Sequence, residues 1–305
     1  MAYSSTGPKA MKVSADDRIF YSTVTVFLVL FTASVLWPII YIISASFSSA
    51  TAVNAGRVIL WPIGFTLDGY EAVFAYRKVP IGFRNSIFYT VAGTVFSVCL
   101  TLMAAYPLSR KNFQGRKFYT TLYVITMFFS GGLIPSYLLI VQLGLVNTIW
   151  AIIIPGSFST YNMIITRTFF MSTIPGDLLD ASQIDGCSDA RYFFVILLPL
   201  SKAVIAVITL FYAVGNWNSW FPAMIYLRNP DLHPLQLVLR EVLVLSQISM
   251  LGFEDLDVET LESMMNRAEL LKFSLIVVST IPIIVVYPFI QKYFVKGVMI
   301  GSLKG

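Results

Sequence analysis

LLDASQIDGCSDARYFFVILLPL, residues 178–200, interrupts a chain that is otherwise almost continuously apolar. Asp180, Asp185, Asp189 and Arg191, with the turn-former Gly186, lie between long runs without charge. On one side, residues 118–165 contain no charged residue, and on the other, 203–227 contain none either. A membrane-spanning helix needs about 20 mostly apolar residues at a rise of about 1.5 Å each. The upstream run is long enough for two spans and the downstream run for one. The stretch is therefore a polar island between membrane helices.

Composition agrees. The 305 residues are 57% apolar and 12% charged, with a mean hydropathy of +0.76, whereas soluble domains carry about a quarter charged residues. This is a polytopic membrane protein. The net charge of +5 comes from basic residues scattered singly or in pairs, with no basic helix or aromatic–basic repeat, so nucleic acid is not an expected partner. Cys99 and Cys187 are too few for a disulfide framework and read as free thiols. The first apolar run, Ile19 to Phe47, is too long for the apolar part of a signal peptide and is read as a retained helix.

Six windows, nearly free of charge, can be cut from the chain as expected spans: 19–47, 85–109, 118–141, 148–170, 203–227 and 273–290. QLGLVN at 142–147 is the expected break between the third and fourth. Gly131, Gly132 and Pro135 interrupt the third, where a kink and close helix packing explain them equally well. No internal repeat appears, so residues 1–305 are taken as one transmembrane domain. Short cytoplasmic loops collect Lys and Arg. RKNFQGRK, residues 110–117, has four basic residues and no acidic one, which places that loop, the island and both termini in the cytoplasm. The opposite side then carries an acidic run at 254–262 but also Arg57, Arg77, Lys78 and Arg84.

The island, 174–199, reads as two short helices lying along the cytoplasmic face. Pro175 and Gly176 end the preceding span, with Asp177 expected as an N-cap. Asp185-Gly186 is a turn signal, glycine taking the left-handed conformation. Ser188 or Asp189 is expected to cap the second helix, which runs until Pro199.

Asp180-Ala181-Ser182-x-x-Asp185-Gly186-Cys187-Ser188, followed by Ile196, Leu198 and Pro199, resembles the E-A-A-x-x-D-G-A-S…I-x-L-P loop of ABC-importer permeases. Asp180, Ser182 and Cys187 stand where that pattern has Glu, Ala and Ala. RNSIFYTVAGTVFSVCLTLMAAYPLSR at 84–110 and NWNSWFPAMIYL at 216–227 look like segments of carbohydrate permeases similar to the second permease of the maltose system. The ending YFVKGVMIGSLKG, 293–305, resembles the oligosaccharide and polysaccharide subgroup.

The resemblance implies an all-α membrane protein of six transmembrane helices with the type I ABC importer permease fold. In that family the loop couples to a cytoplasmic ATPase, which makes Asp180, Ala181, Ser182, Asp185, Gly186, Cys187 and Ser188 the expected coupling residues. Implied partners are a second homologous permease, two ATPase subunits, an extracytoplasmic solute-binding protein and an oligosaccharide, in a bacterial inner membrane. ATP and Mg would be used by the ATPases, since this chain has no G-x-x-x-x-G-K-[ST] and is expected to bind no cofactor and to catalyse nothing.

Sugars offer hydroxyl edges and C–H faces, which suit hydrogen-bonding groups beside aromatic rings. Within the spans Tyr89, Tyr161, Asn162, Asn216, Trp217 and Asn218 meet that description. The same residue types also bond neighbouring helices or sit at the membrane interface. His233 is the only histidine and has no second ligand nearby in sequence, so no metal site is expected. An ion-gradient transporter would keep carboxylates or histidines inside its spans, and a membrane enzyme would need a catalytic constellation. The expected spans have neither.

Overall fold

The computed structural model describes residues 14–249, 266 and 268–288. The acidic run at 254–262 and the ending at 293–305 lie outside the described residues. Among those described, every regular element is helical. α1 (Ala15–Ser46), α2 (Ala50–Asn54) and α3 (Asp68–Ala75) lead into the long α4 (Lys78–Ser109). α5 (Arg116–Phe128), α6 (Leu133–Gln142), α7 (Trp150–Ile153) and α8 (Thr160–Ser172) precede the island. The island holds α9 (Asp177–Ile184), then α10 (Asp189–Arg191), a π-helical turn Tyr192–Leu197 and α11 (Leu198–Leu200) in one run. α12 (Lys202–Trp217), α13 (Phe221–Tyr226) and α14 (Leu235–Ser249) follow, and α15 spans Ala268–Pro288.

Among the described residues, α1, α4 and α15 are each long and apolar enough to cross a membrane alone. Two further pairs meet the same test only when taken together across a sharp bend: α5 with α6, at 115°, and the α10–α11 run with α12, at 81°. The expected third span, 118–141, is thus two helices rather than one. The bend follows Gly132, whose φ of 82° is left-handed and where a Cβ would touch nothing. That glycine serves backbone conformation, not packing. The expected fourth span, 148–170, is also in two pieces. Pro155 and Gly156 fall in the gap between α7 and α8, and Ser159 starts α8 afresh by accepting the Asn162 N–H at 3.4 Å. The fifth, 203–227, is interrupted between Trp217 and Phe221.

α4 is the axis of the fold, packed against α12, α8 and α14. Its inward face carries Ser86, Thr94, Ser97, Thr101 and Ala105, all buried, small side chains that let helices approach where lipid offers no hydrophobic drive for association. Near its C-terminal end Leu102, Ala105 and Leu108 join Met163, Phe170, Tyr192, Leu197 and Ile208 in the largest core cluster. Near its N-terminal end Val79 joins Trp217, Leu235, Val238 and Leu275. Between them the Thr101 and Tyr212 hydroxyls meet at 2.7 Å, and the Tyr212 oxygen accepts the Ser159 N–H at 3.1 Å. This satisfies a donor freed by the break before α8.

α1 differs from the rest. It is apolar on all sides, and among the described residues no part of its most apolar stretch is buried. Its C-terminal end is held by Tyr41 edge-on to Phe273 at 5.7 Å and by the Ser46 hydroxyl against the Tyr70 hydroxyl at 2.8 Å.

Candidate functional site: a rooted knob and a framed mouth

The island closes on itself by two hydrogen bonds. The Cys187 N–H donates to the Ser182 carbonyl at 2.9 Å and the Gly186 N–H to that of Gln183 at 3.0 Å, the double bond pattern that ends a helix with a left-handed residue. That residue is Gly186, φ 71°, with open space around it. The Ser188 hydroxyl then caps the next helix by accepting the Arg191 N–H at 3.3 Å. Asp177, expected as the first cap, is instead the first residue of α9, with Gly176 in the cap position and no side-chain cap bond. The second helix continues through Pro199 to Leu200 before bending. Proline has no N–H to give to the turn before it, and the chain passes through this stretch in the wider π turn.

Of the expected coupling residues, Ser182 is buried, its hydroxyl donating to the Leu179 carbonyl at 2.7 Å, and Cys187 is half-buried. Asp180, Ala181, Asp185, Gly186 and Ser188 are exposed. Asp180 shares the outer face of α9 with Ile184, one helical turn on. Ile184 is 87% exposed and was not among the residues expected to matter. The signal in the sequence is slight, a single isoleucine between Gln183 and Asp185, and only the helix places it on the face of Asp180.

The knob is rooted in the helices behind it. Tyr192, Phe193 and Leu197 enter the main core cluster. The Arg110 guanidinium lies over the Tyr106 ring at 4.5 Å and the Tyr192 ring at 4.6 Å, and Tyr106 meets Phe193 at 5.0 Å between centroids. Arg167 donates Nε to the Leu108 carbonyl at 2.9 Å. The first basic residue of the RKNFQGRK loop thus braces the island, besides marking topology.

At the other end of α4, side chains hold a loop by its backbone. Asn85 Nδ2 donates to the carbonyls of Asp231 at 2.8 Å and His233 at 3.1 Å, and the Tyr89 hydroxyl to that of Leu232 at 2.9 Å. The Leu235 N–H donates to Ser86 Oγ at 2.8 Å. Lys78 pairs with Glu241 at 2.8 Å. His233 Nδ1 is 3.3 Å from the same carboxylate, at an angle that makes no hydrogen bond. A cavity of about 430 Å³ opens here beside Met224, His233, Arg240 and Glu241, and a second of about 330 Å³ beside Arg77, Lys78 and Asp231. Arg240 lies over the Trp220 ring at 4.2 Å.

The expected path residues separate into three kinds. Tyr89 and Trp217 are buried and bonded within the chain, the latter donating Nε1 to the Ser279 carbonyl at 3.0 Å. Asn216 joins two helices, donating Nδ2 to Thr94 Oγ1 at 3.3 Å, and Asn162 is buried on α8. Tyr161 and Asn218 are exposed, and Asn218 donates back to the Val214 carbonyl of its own helix at 3.0 Å. No group of three or more metal-binding side chains occurs among the described residues.

Residues 97–300 match the family model described as the binding-protein-dependent transport system inner membrane component. The chain belongs to that family. It is a multi-pass permease of the inner membrane, a transport component of a carbohydrate ABC importer. It is 40% identical over 273 residues to Protein LplC of Bacillus subtilis, covering 90% of each chain. It is 39% identical over 289 residues to the polygalacturonan/rhamnogalacturonan transport system permease protein YtcP of the same species, covering 95% of this chain and 99% of that one. Among solved structures, a bacterial ABC transporter involved in the import of the acidic polysaccharide alginate matches with a TM-score of 0.83 and 34% identity, over 94% of this permease and 100% of that chain. The matched family segment takes in the whole island, while Lys78, Asn85 and Tyr89, which frame the mouth, lie ahead of it.

Proposed function

We propose that this permease is the transmembrane subunit of an ATP-driven importer of an oligosaccharide and that the island is the part its ATPase grips. The observation that carries the reading is the form of α9: a short helix closed by Gly186, presenting Asp180 and the bare Ile184 outward, and fixed through Tyr192 and Phe193 to α4, α8 and α12. A gripped element transmits force only if its root is stiff, and this root is packed aromatic core. The island and the basic loop then face the cytoplasm, as do both termini, and the chain crosses the membrane six times. A second homologous permease, two ATPases and an extracytoplasmic solute-binding protein complete the assembly. ATP and Mg act in the ATPases, and this chain holds no cofactor and catalyses no reaction.

Support for the substrate class comes from the relatives: YtcP is named for polygalacturonan and rhamnogalacturonan, and the solved structure concerns alginate. We read the cargo as an oligosaccharide, with carboxylate-bearing sugars included.

The test is co-purification of the permease with its ATPase, wild type against Gly186→Asp and Asp180→Ala, followed by ATPase activity of the assembled complex in lipid with and without the binding protein. Loss of assembly or of stimulation in the variants is expected. Transport that follows a proton or sodium gradient without any ATPase would sink the proposal.

A further inference from the structure

Positive charge gathers at the end of α4 opposite the island, where topology alone predicts little. Arg77 and Lys78 lie there, against the tendency of basic residues to collect on the cytoplasmic side, and the fold adds Arg240. Lys78 is paired with Glu241. Arg240 is not paired: among the described residues its guanidinium meets no carboxylate. It lies over Trp220, and Nη1 donates to Met224 Sδ, a weak acceptor.

A guanidinium carries five donors in a planar fork suited to a carboxylate. One of these faces a thioether, and the cation borders the 430 Å³ cavity. Trp220, with Phe221 edge-on at 5.5 Å between centroids, supplies the apolar faces that suit the C–H patches of a pyranose. Beside aromatic rings in an open cavity, a cation that meets no carboxylate among the described residues suits the carboxylate and the C–H faces of a sugar acid. Glu241 borders the same cavity but is countered by Lys78, so the excess charge there is positive.

We infer that Arg240 and Trp220 form a subsite at the mouth that takes the carboxylate of an acidic oligosaccharide, an assignment that rests on the importer reading above. The alternative is that the pair only braces α14 against α13.

The experiment uses the assembled complex with its ATPases and binding protein in proteoliposomes, and two probes: trigalacturonate, and the same trisaccharide with its carboxyls reduced to alcohols. ATP-driven uptake is measured for wild type, Arg240→Gln and Arg240→Lys, with equilibrium dialysis of each probe against the complex without binding protein. Arg240→Gln is expected to weaken half-saturation and binding of trigalacturonate about ten-fold or more, the value of a charge-assisted hydrogen bond, while the reduced probe changes less than about two-fold. Arg240→Lys falls between, keeping the charge without the fork. Equal losses for both probes would mean a brace, and no loss for either would mean no subsite; each overturns the inference while leaving the importer intact. If ATP drives neither probe across in the wild type, the proposed acidic-oligosaccharide cargo fails and the subsite with it, whatever the variants do.

Discussion

The two ends of α4 are held by different balances of contact. At the Ser109 end side chains mainly grip side chains, with Arg110 between two tyrosine rings, Tyr106 against Phe193 and a buried cluster behind them, and Arg167 adds a bond to the Leu108 carbonyl. At the Lys78 end side chains grip backbone, as Asn85, Tyr89 and Ser86 bond four main-chain groups of residues 231–235. Stacked rings tolerate small shifts and keep a body together as it moves. Hydrogen bonds to carbonyls are directional and fix irregular backbone that has lost its water. On the proposed reading, the first kind of hold suits an end that is pushed as a unit and the second an end that keeps an opening in shape.

That contrast is sharpest at Asn85. Asn85→Ala removes two hydrogen bonds to the carbonyls of a part-buried loop, a cost of about 2–3 kcal/mol, and the thermal denaturation midpoint of the detergent-solubilised permease should fall by several degrees. Arg110→Ala removes one cation from two rings and should cost about 1–2 kcal/mol. Its expected signature is weaker ATPase co-purification with a smaller thermal shift than Asn85→Ala. If the two variants lost equal stability, the distinction between the ends would not stand. Gly186→Ala meets no neighbour and is penalised only by its left-handed backbone, about 1 kcal/mol, so it should reduce ATPase-stimulated turnover more than melting temperature, and Gly186→Asn should be milder. Lys78→Met breaks a partly exposed pair and should change stability by less than about 1 kcal/mol, read in the same thermal assay; a larger loss would make the mouth electrostatic rather than hydrogen-bonded.

Much of this was legible in the chain because charge is so costly in lipid that its absence marks helices. The island was legible as two short helices about a turn for the converse reason, since polar residues and Gly186 break an otherwise apolar run. Counting charges could not find the breaks. Pro155 and Gly156 carry no charge, yet they divide the expected fourth span, and in the third Gly131, Gly132 and Pro135 left a kink and close packing equally open until the left-handed φ of Gly132 decided for the kink. Nor could spacing separate buried from exposed candidates. Tyr89 and Trp217 look alike in sequence to Tyr161 and Asn218, and only the partners Leu232 and Ser279, far away in the chain, turn the first two inward. Arg110 was readable as a topological charge but not as a brace, because Tyr192 lies 82 positions on.

The π turn at Tyr192–Leu197 gives the protein an odd arithmetic. A π turn holds one residue more than the α-helical path would use, and each α-helical residue advances a helix by about 100° and 1.5 Å. Shortening the loop by one residue here would therefore leave every contact type available but aim the tip around the helix by about a quarter turn. Insertions and deletions in this segment are steering changes, and two otherwise matching chains that differ by one residue there would turn the tip of α9 to different sides.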